Sequence, residues 1–246
     1  WEWLKNPGKI VGTLRESTMI FAGNAYLAEY ARQFNPAVHI VPTTIDTDIY
    51  VPPKKIPSSR CVTIGWSGST TTIEHFKLCV PMLSALRQKY GNRITFRVIG
   101  DHTYSNAALG IQGQRWDPAN EVSDLAAIDI GIMPLPDDEW SRGKCGLKGL
   151  QYMALEIPTI MSPVGVNSEI VIHGKNGFLA SSEQEWVACM SALIESPSLR
   201  TQFGAAGRAT VCDRYSVRSQ MGPFLQLIRE AVGGDATASS TMPQRH

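Results

Sequence analysis

Short apolar runs alternate along the chain with segments whose apolar residues recur at helical spacing. The runs that read as extended or buried strands are Met19–Ala22, Val38–Val41, Cys61–Trp66, Ile94–Ile99, Ile111–Trp116, Ile128–Met133 and Thr159–Ser162. Strands without polar alternation, joined by amphipathic helices, are typical of a parallel sheet that is covered on both faces. The pattern therefore predicts an α/β fold with a Rossmann-like parallel sheet and helices on both faces.

Capping residues predict where several helices begin. The candidates are Asn24, Ser182 with Glu185 in a capping box, Ser196 before Pro197, and Ser216. The helix after Ser216 would carry an apolar stripe of Met221, Leu225, Ile228 and Val232. Pro81 falls inside another periodic segment, from Ile73 to Leu86, and is expected to kink that helix.

A proline-rich stretch divides the chain. Residues 51–60 contain Pro52, Pro53 and Pro57 and are expected to form a linker, because proline fixes φ and removes a backbone donor. Residues 61–215 are long enough for a complete domain. Residues 1–50 allow only two short strands with a helix or two, which predicts a remnant of a second Rossmann-like domain. Residues 216–232 would form the last helix, and residues 233–246 a disordered tail.

Composition narrows the choice of protein class. Of 246 residues, 43% are hydrophobic and 18% are charged, which excludes a disordered chain. The net charge of +1 predicts no nucleic-acid partner. No apolar run is long enough to span a bilayer and no signal-peptide pattern is visible, so a cytoplasmic protein is expected. The chain opens with Trp1 rather than Met, so a piece of a longer protein is also expected.

Cysteine and histidine residues are scattered rather than clustered. The five cysteines include no C-x-x-C pair, which favours reduced thiols over a disulfide framework. No H-E-x-x-H or Cys/His cluster occurs, and we expect no metal site. A G-x-S-x-G elbow is also missing, which argues against an α/β-hydrolase.

The stretch from Trp140 to Glu169 contains the most informative polar residues. On a helix from Gly146 to Leu155, Lys148 and Gln151 share one face, and Lys144 joins them only if the helical turn reaches back that far. Lysines at a helix N-terminus oppose the macrodipole unless an anion lies there. They therefore favour a phosphate that is held by backbone N–H groups and ammonium charge together. Spacing alone leaves open that both lysines cover an exposed face.

Five short motifs follow one another in a recognisable order. They are Gly23–Ala28 (G-N-A-Y-L-A), Val41–Asp46 (V-P-T-T-I-D), Gln151–Ala154 (Q-Y-M-A), Val164–Glu169 (V-G-V-N-S-E) and Gly174–Leu179 (G-K-N-G-F-L). Together they resemble retaining glycosyltransferase family four, the glycosyl transferases group 1, over about residues 18–232. Members of that family have two Rossmann domains in the architecture called GT-B.

The resemblance implies a division of the chain and a function. Residues 61–215 would be the C-terminal domain that binds the nucleotide-sugar donor. Residues 1–50 would end the N-terminal, acceptor-side domain, onto which the helix of residues 216–232 would pack back. The expected activity is transfer of a hexose, with retention and without a metal or other cofactor, from a nucleotide-diphosphate sugar to a carbohydrate, lipid or small-molecule acceptor. The missing half could also associate with a membrane surface, and this chain alone is expected to bind donor without transferring sugar.

The resemblance and the residue types together give the candidate site residues. Lys144 would be catalytic and would contact the diphosphate, while Gln151 would hold the ribose and Trp116 would flank the base. The candidates for the nucleotide and diphosphate are Gly68, Ser69, Lys144, Lys148, Gln151, Gly165, Val166 and Asn167. Asn167 or Ser168 is in addition a candidate helix cap, and Trp116 would end a strand at the carboxyl edge of the sheet, although a core position for this ring is an alternative.

Two departures from the family pattern leave other functions open. The two glutamates of the family's signature fall on Gly143 and Gln151, and the loop from Gly65 to Thr72 contains neither Arg nor Lys. A binding module without turnover is therefore a second hypothesis, and a sugar-nucleotide epimerase on the same fold is a third. Asp137, Asp138 and Glu139 are interpreted as a solvated loop. The base, the sugar, the acceptor and the oligomeric state do not follow from the sequence.

Overall fold

The computed structural model of the protein describes residues 7–54 and 61–233. Five parallel strands form a central sheet with helices on both faces, and a separate pair of parallel strands lies in the N-terminal part. The predicted α/β class is thereby confirmed, including a small extra parallel sheet. The apolar residues Trp1, Trp3 and Leu4, linker residues 55–60 and tail residues 234–246 lie outside the described residues.

The elements follow in chain order. The strands are β1 (Ile20–Ala22), β2 (Val38–Ile40), β3 (Val62–Ser67), β4 (Ile94–Ile99), β5 (Ser105–Asn106), β6 (Ile111–Gln112), β7 (Ile130–Met133), β8 (Thr159–Met161) and β9 (Phe178–Leu179). The α-helices are α1 (Pro7–Glu16), α2 (Ala25–Arg32), α3 (Ile73–Lys77), α4 (Val80–Tyr90), α5 (Glu121–Ala126), α6 (Glu139–Arg142), α7 (Leu147–Ala154), α8 (Asn167–Ile170), α9 (Glu183–Glu195), α10 (Pro197–Thr210) and α11 (Val217–Gly233).

The central sheet has the order β4-β3-β7-β8-β9 and buries both of its faces. One face packs Val62, Ile64 and Trp66 of β3 against α3, α4 and α9. The other face packs against α5 and α7, where the hydroxyl of Tyr152 accepts a hydrogen bond of 2.7 Å from the N–H of Ser67. Because all five strands run in parallel, their carboxyl ends lie along one edge, where open α/β sheets bind ligands.

The N-terminal part forms a small unit of its own. Strands β1 and β2 pair in parallel, with Ile20 opposite Val38, and α2 packs on them through Ala28 and Ala31. Asn24 caps α2 as predicted, since its Oδ1 accepts a hydrogen bond of 2.9 Å from the N–H of Leu27. Two strands with one crossover helix are a minimal parallel unit.

The C-terminal helix lies on this N-terminal unit. Ser216 pairs with Ile45 in an isolated bridge where α11 begins, and the rings of Phe21 and Phe224 lie 5.3 Å apart. None of the side chains described in α11 is fully buried. Its apolar stripe remains largely open, with Met221 50% and Val232 75% exposed.

Three expectations about local structure were wrong. Pro81 does not kink a continuous helix, because α3 ends at Lys77 and the proline lies in the first turn of α4, where no helical hydrogen bond is lost. The run Ile111–Trp116 is not a continuous strand of the central sheet, since only Ile111–Gln112 is a strand, paired antiparallel with β5, and Gln114 adds a single parallel bridge to Ile99 of β4. The residues 137–139 are not a loop throughout, because Asp138 caps α6 through the N–H of Ser141.

Candidate functional site

The loops after β3 and β4 touch each other at the carboxyl edge of the central sheet. The N–H of Gly68 donates to the carbonyl oxygen of Ile99 at 2.9 Å. Gly100 has a φ of 112°, and a Cβ atom there would lie 2.0 Å from the carbonyl oxygen of Gly68. Only glycine fits both the positive φ and this close approach. The contact places Gly68 and Ser69 at the sheet edge.

The loop from Ser69 to Thr72 is polar but carries no charge. The N–H of Ser69 donates to Thr72 Oγ1 at 3.0 Å, and the Ser69 hydroxyl lies 2.9 Å from Thr71 Oγ1. The hydroxyl groups thus satisfy one another around a short turn. Positive charge for an anion at this edge has to come from other elements.

Lys148 supplies charge from the first turn of α7. Its Nζ lies 4.7 Å from the ring centroid of Trp66 and 3.4 Å from Thr72 Oγ1, so the ammonium group faces the polar loop. Burial is the main cause that lowers the pKa of Lys148 to about 8, and the positive charge of Lys144 lowers it further. An ammonium group that is desolvated in this way favours an anionic partner.

Lys144 lies before α7 rather than on it. Gly146 has a φ of 72° and serves as the N-cap of α7, so the chain turns sharply between Lys144 and the helix. The Lys144 Nζ lies 5.3 Å from the ring centroid of Trp140, and burial lowers its pKa although the charge of Asp138 acts in the opposite direction. Within the described ranges, neither Lys144 nor Lys148 forms a salt bridge.

His75 of α3 joins the two lysines, and sequence reasoning missed it. Burial lowers the pKa of His75, and the charges of Lys144 and Lys148 lower it further. Its buried Nδ1 has no hydrogen-bond partner among the residues that the structure describes. The imidazole is therefore expected to be neutral at pH 7. No sequence spacing links residue 75 to residues 144 and 148.

The residues Gly165, Val166 and Asn167 follow β8 and lie next to the backbone of residues 142–146, which carries Lys144. Gly165 has a φ of 54°, and a Cβ atom there would lie 2.8 Å from the carbonyl oxygen of Arg142. A Cβ atom on Gly146 would lie 3.5 Å from Val166 Cγ1. The expectation that Asn167 or Ser168 caps a helix was wrong: Val166 is the N-cap of α8, and the buried Asn167 amide donates to the carbonyl oxygen of Ser162 at 3.0 Å.

Gln151 belongs to a chain of hydrogen bonds that leads away from the lysines. Its Nε2 donates to the hydroxyl of Tyr50 at 2.7 Å, and Tyr50 donates to Glu121. The other Glu121 oxygen accepts from Trp116 Nε1 at 2.7 Å. Burial and the carboxylate of Glu121 raise the pKa of Tyr50 to about 12, so the phenol stays protonated.

This chain of hydrogen bonds changes the interpretation of Trp116. The residue does not end a strand, because β6 stops at Gln112, and its ring is 44% exposed rather than part of the core. Its position is fixed instead by Glu121. Sequence reasoning missed Tyr50 and Glu121 as partners, since they are 71 residues apart and no local pattern connects them.

Neither a metal cluster nor a membrane span occurs in the part of the chain that the structure describes. No group of three or more His, Cys, Asp or Glu side chains is arranged there to hold a metal ion. In the same residues, no helix combines the length and the apolar character that crossing a membrane requires.

The sequence matches the family described as glycosyl transferases group 1 over residues 61–196, which is more than half of the chain. The chain belongs to this family. The match covers all five strands of the central sheet, the loop that carries Lys144 and the helix α7 that carries Lys148 and Gln151. The family that the motifs resemble is therefore confirmed.

Solved glycosyltransferase structures share the fold of this family member at low identity. A point variant of TarM from S. aureus aligns with a TM-score of 0.72 and 15% identity, over 90% of this chain and 46% of TarM. HepE from Anabaena aligns with a TM-score of 0.70 and 14% identity, over 88% of this chain and 64% of HepE. The C-terminal domain of the group 1 protein LpcC from Francisella tularensis aligns with a TM-score of 0.52 and 22% identity, over 70% of this chain and 99% of that domain.

The shares of the aligned chains agree with a GT-B C-terminal domain. This chain spans less than two thirds of the length of TarM and of HepE, whereas it covers nearly the whole LpcC domain. The similarity to LpcC shows that a C-terminal domain of this family has the same fold as the central sheet and its helices.

Proposed function

We propose that this chain is the donor-binding part of a GT-B glycosyltransferase that transfers a hexose from a nucleotide-diphosphate sugar with retention and without a metal. The observation that carries the proposal is the pair Lys144 and Lys148, both partly desolvated and without a salt bridge in the described residues, with Lys148 Nζ 3.4 Å from Thr72 Oγ1 of the uncharged hydroxyl loop. A diphosphate would supply the missing negative charge.

Each candidate residue has a role in this proposal. Gly68 and Ser69 would offer backbone and hydroxyl groups to one phosphate, while Lys144 and Lys148 would stabilise the charge that develops on the departing diphosphate. Lys144 is proposed as the catalytic residue. Gly165, Val166 and Asn167 would close the site from the β8 side. The cluster replaces the Arg and Lys that the family commonly has after its first donor-domain strand.

The nucleoside would lie along α7 beyond Lys148. Gln151 follows Lys148 by three residues on the same helical face, so a ribose could be reached from the diphosphate. Its amide is held by Tyr50, and Trp116 on the same hydrogen-bond chain presents a half-exposed ring for a base. The TarM variant and HepE were both solved with UDP, which makes UDP the first nucleotide to test.

A binding module without turnover is the second candidate. It is favoured by Gln151, which replaces a glutamate of the family pattern and whose amide is already engaged by Tyr50. The epimerase alternative is less well supported. Asp138, whose charge acts on both Lys144 and His75, caps α6, and the N–H of Ser141 lowers its pKa, so this carboxylate is a poor general acid.

A thermal-shift panel of UDP, GDP, ADP and dTDP tests the proposal. A ligand at 100 times its dissociation constant should stabilise the fold by about 2.7 kcal/mol. One nucleotide should raise the Tm more than the others, and its sugar conjugates should then be assayed with a mixed acceptor panel and by product analysis. Binding without transfer in a chain that includes the acceptor domain would favour the binding module. No shift with any of the four at millimolar concentration would contradict nucleotide binding altogether.

A further inference from the structure

Asn24 connects the N-terminal unit directly to the loop that carries Lys144. The side chain is only 3% exposed. Its Oδ1 accepts from the N–H of Leu27 at 2.9 Å, whereas its Nδ2 donates to the carbonyl oxygens of Arg142 at 3.1 Å and Lys144 at 3.0 Å. Every strong donor and acceptor of the amide thus has a protein partner except one lone pair.

The chemistry of these partners determines the orientation of the amide. The backbone N–H of Leu27 can only donate, and the carbonyls of Arg142 and Lys144 can only accept. The oxygen must therefore face α2, and the nitrogen must face the loop. Aspartate or serine could retain the cap of α2, but neither could supply two N–H groups to the two carbonyls. The cap does not require an amide at position 24, but the two hydrogen bonds to the carbonyls of Arg142 and Lys144 do.

The loop of residues 142–145 is held from two sides. On the side of Asn24, a Cβ atom on Gly23 would lie 2.4 Å from Cys145 Sγ, so the N-terminal unit packs closely on the loop. On the other side, Gly165 approaches the carbonyl oxygen of Arg142. The two carbonyls that Asn24 engages flank Gly143, which would otherwise let the backbone move freely just before Lys144.

We propose that Asn24 is a positioning residue for donor binding, whose amide holds the 142–145 loop so that Lys144 remains beside Lys148 and His75. This inference rests on the proposed function, since it assigns Asn24 to the diphosphate part of that same site. It also makes the N-terminal unit a part of the donor site, although the unit lies about 120 residues away in sequence. The affinity for the diphosphate group should therefore depend on Asn24.

Two variants of Asn24 separate the clamp from the cap. Asn24→Ser keeps an oxygen for the N–H of Leu27 and removes both N–H donors to the loop, leaving one shorter hydroxyl that cannot serve both carbonyls, whereas Asn24→Ala removes the cap as well. Ser182→Ala is the matched control, because it removes the cap of α9 after the edge strand β9, and the loss of a cap has a similar cost at both positions. Circular dichroism and Tm values establish that all variants are folded at the temperature of the assay.

Two measurements are made on each variant. The first is the affinity for inorganic pyrophosphate by calorimetry, with UDP as a second probe. The second is the rate at which a thiol reagent labels Cys145, followed by mass spectrometry, with partly buried Cys212 as the internal reference. Asn24→Ser and Asn24→Ala should both lose pyrophosphate affinity by about five- to twentyfold, as expected for two neutral hydrogen bonds, and should label faster at Cys145. Ser182→Ala should change neither value.

The outcomes distinguish the two proposals. Wild-type pyrophosphate affinity in Asn24→Ser would overturn the positioning role, as would faster labelling of Cys145 with no loss of affinity. A loss in Asn24→Ala alone would assign the effect to the helix cap and would overturn the role as well. If the unmodified chain binds neither pyrophosphate nor any of the four nucleotides, the proposed function fails first, and the positioning role is withdrawn with it.

Discussion

Lys148 has opposite effects on folding and on binding. Its ammonium group lies against the Trp66 ring and is buried enough to lower its pKa to about 8, well below the 10.5 of a solvated lysine. Burial of this charge costs free energy when no anion is bound. The same desolvation strengthens its attraction to an anion. A bound diphosphate would therefore offset the cost of burying the charge.

We therefore expect Lys148→Met to stabilise the unliganded chain and to weaken nucleoside-diphosphate binding. Methionine fills the space over Trp66 without a charge, and the free energy of unfolding should rise by about 1–3 kcal/mol, with a higher Tm. Binding should weaken by about 1.5–3 kcal/mol, as for a lost charged hydrogen bond. Lys175→Met, at an exposed lysine, is the control and should change both quantities little. A variant that is less stable yet binds normally would contradict this account.

Nucleotide affinity should also fall as the pH rises above about 8. The charged form of Lys148 attracts the diphosphate, and the unliganded chain loses that charge near its pKa of about 8. Calorimetry between pH 7 and pH 9.5 should show a loss of about tenfold or more. The effect on folding has the opposite sign. The pKa of this lysine is 10.5 in the unfolded chain and about 8 in the folded chain, so the unfolded chain binds more protons between these two pH values. The free energy of unfolding therefore rises with pH from about 8.

Arginine at position 148 provides the control for this titration. Its guanidinium stays charged over the whole range, so the affinity of Lys148→Arg should vary much less between pH 7 and pH 9.5. An equally steep decline in that variant would assign the pH dependence to another group, with Lys144 as the first candidate, because burial lowers its pKa too.

At the scale of elements, close backbone contacts decide which helical positions accept a side chain. Gly204 of α10 faces the turn that ends α7, where Glu156 has a φ of 57°. A Cβ atom on Gly204 would lie 2.2 Å from the backbone oxygen of Glu156. Glycine in a helix is normally unfavourable compared with alanine. Here it permits the contact between α10 and α7.

Gly204→Ala should consequently destabilise the fold, although it improves helix propensity. The backbone of Glu156 has to shift, which costs about 1–3 kcal/mol, and urea unfolding should show a lower midpoint. Gly12→Ala in α1 is the matched substitution, because no atom lies within 4 Å of its added Cβ. It should be neutral or should stabilise by up to about 1 kcal/mol. A stabilised Gly204→Ala would show that α10 and α7 can separate without cost.

Elements that depend on neighbouring residues could be predicted from the sequence. The capping box of Ser182 and Glu185 and the cap at Asn24 act within three residues, and both are present. The helix face that carries Lys148 and Gln151 was predicted in the same way. The end of β6 before Trp116 could not be predicted, because Gln114 exchanges hydrogen bonds with Val98 and Gly100 instead of continuing that strand.

The hydrogen-bond partners and neighbours of the candidate site residues could not be predicted from the sequence, because they are distant in the chain. Tyr50 lies next to the predicted linker of residues 51–60, yet its hydroxyl joins Gln151 to Glu121. Asn24 was predicted as a cap, but its contact with the Lys144 loop spans 120 residues. His75 has an ordinary place on a predicted helix. In all three cases the sheet topology, and not the spacing, brings the residues together.

At the scale of the whole molecule, burial is distributed unevenly. The central sheet is enclosed by two sets of apolar side chains, which include fully buried Ile64, Ile132 and Tyr152. The N-terminal unit has a hydrophobic core of only four buried residues among those described, Ala22, Ala28, Ala31 and Val38. Helix α11 is attached mainly through its first turn and Phe224. Local opening should therefore require far less free energy at α11 than in the sheet.

Hydrogen exchange should reveal this difference in local stability and should also show which residues a bound nucleotide protects. We expect the amides of β3 and β7 to exchange slowest and those of the last two turns of α11 to exchange fastest, because the side chains there are exposed. A bound nucleoside diphosphate should slow exchange in residues 142–148, whose loop and helix start would contact it. It should leave α11 unchanged, since α11 contributes no candidate ligand. Equal slowing throughout the chain would indicate global stabilisation alone, and slowing confined to α11 would place the nucleotide elsewhere.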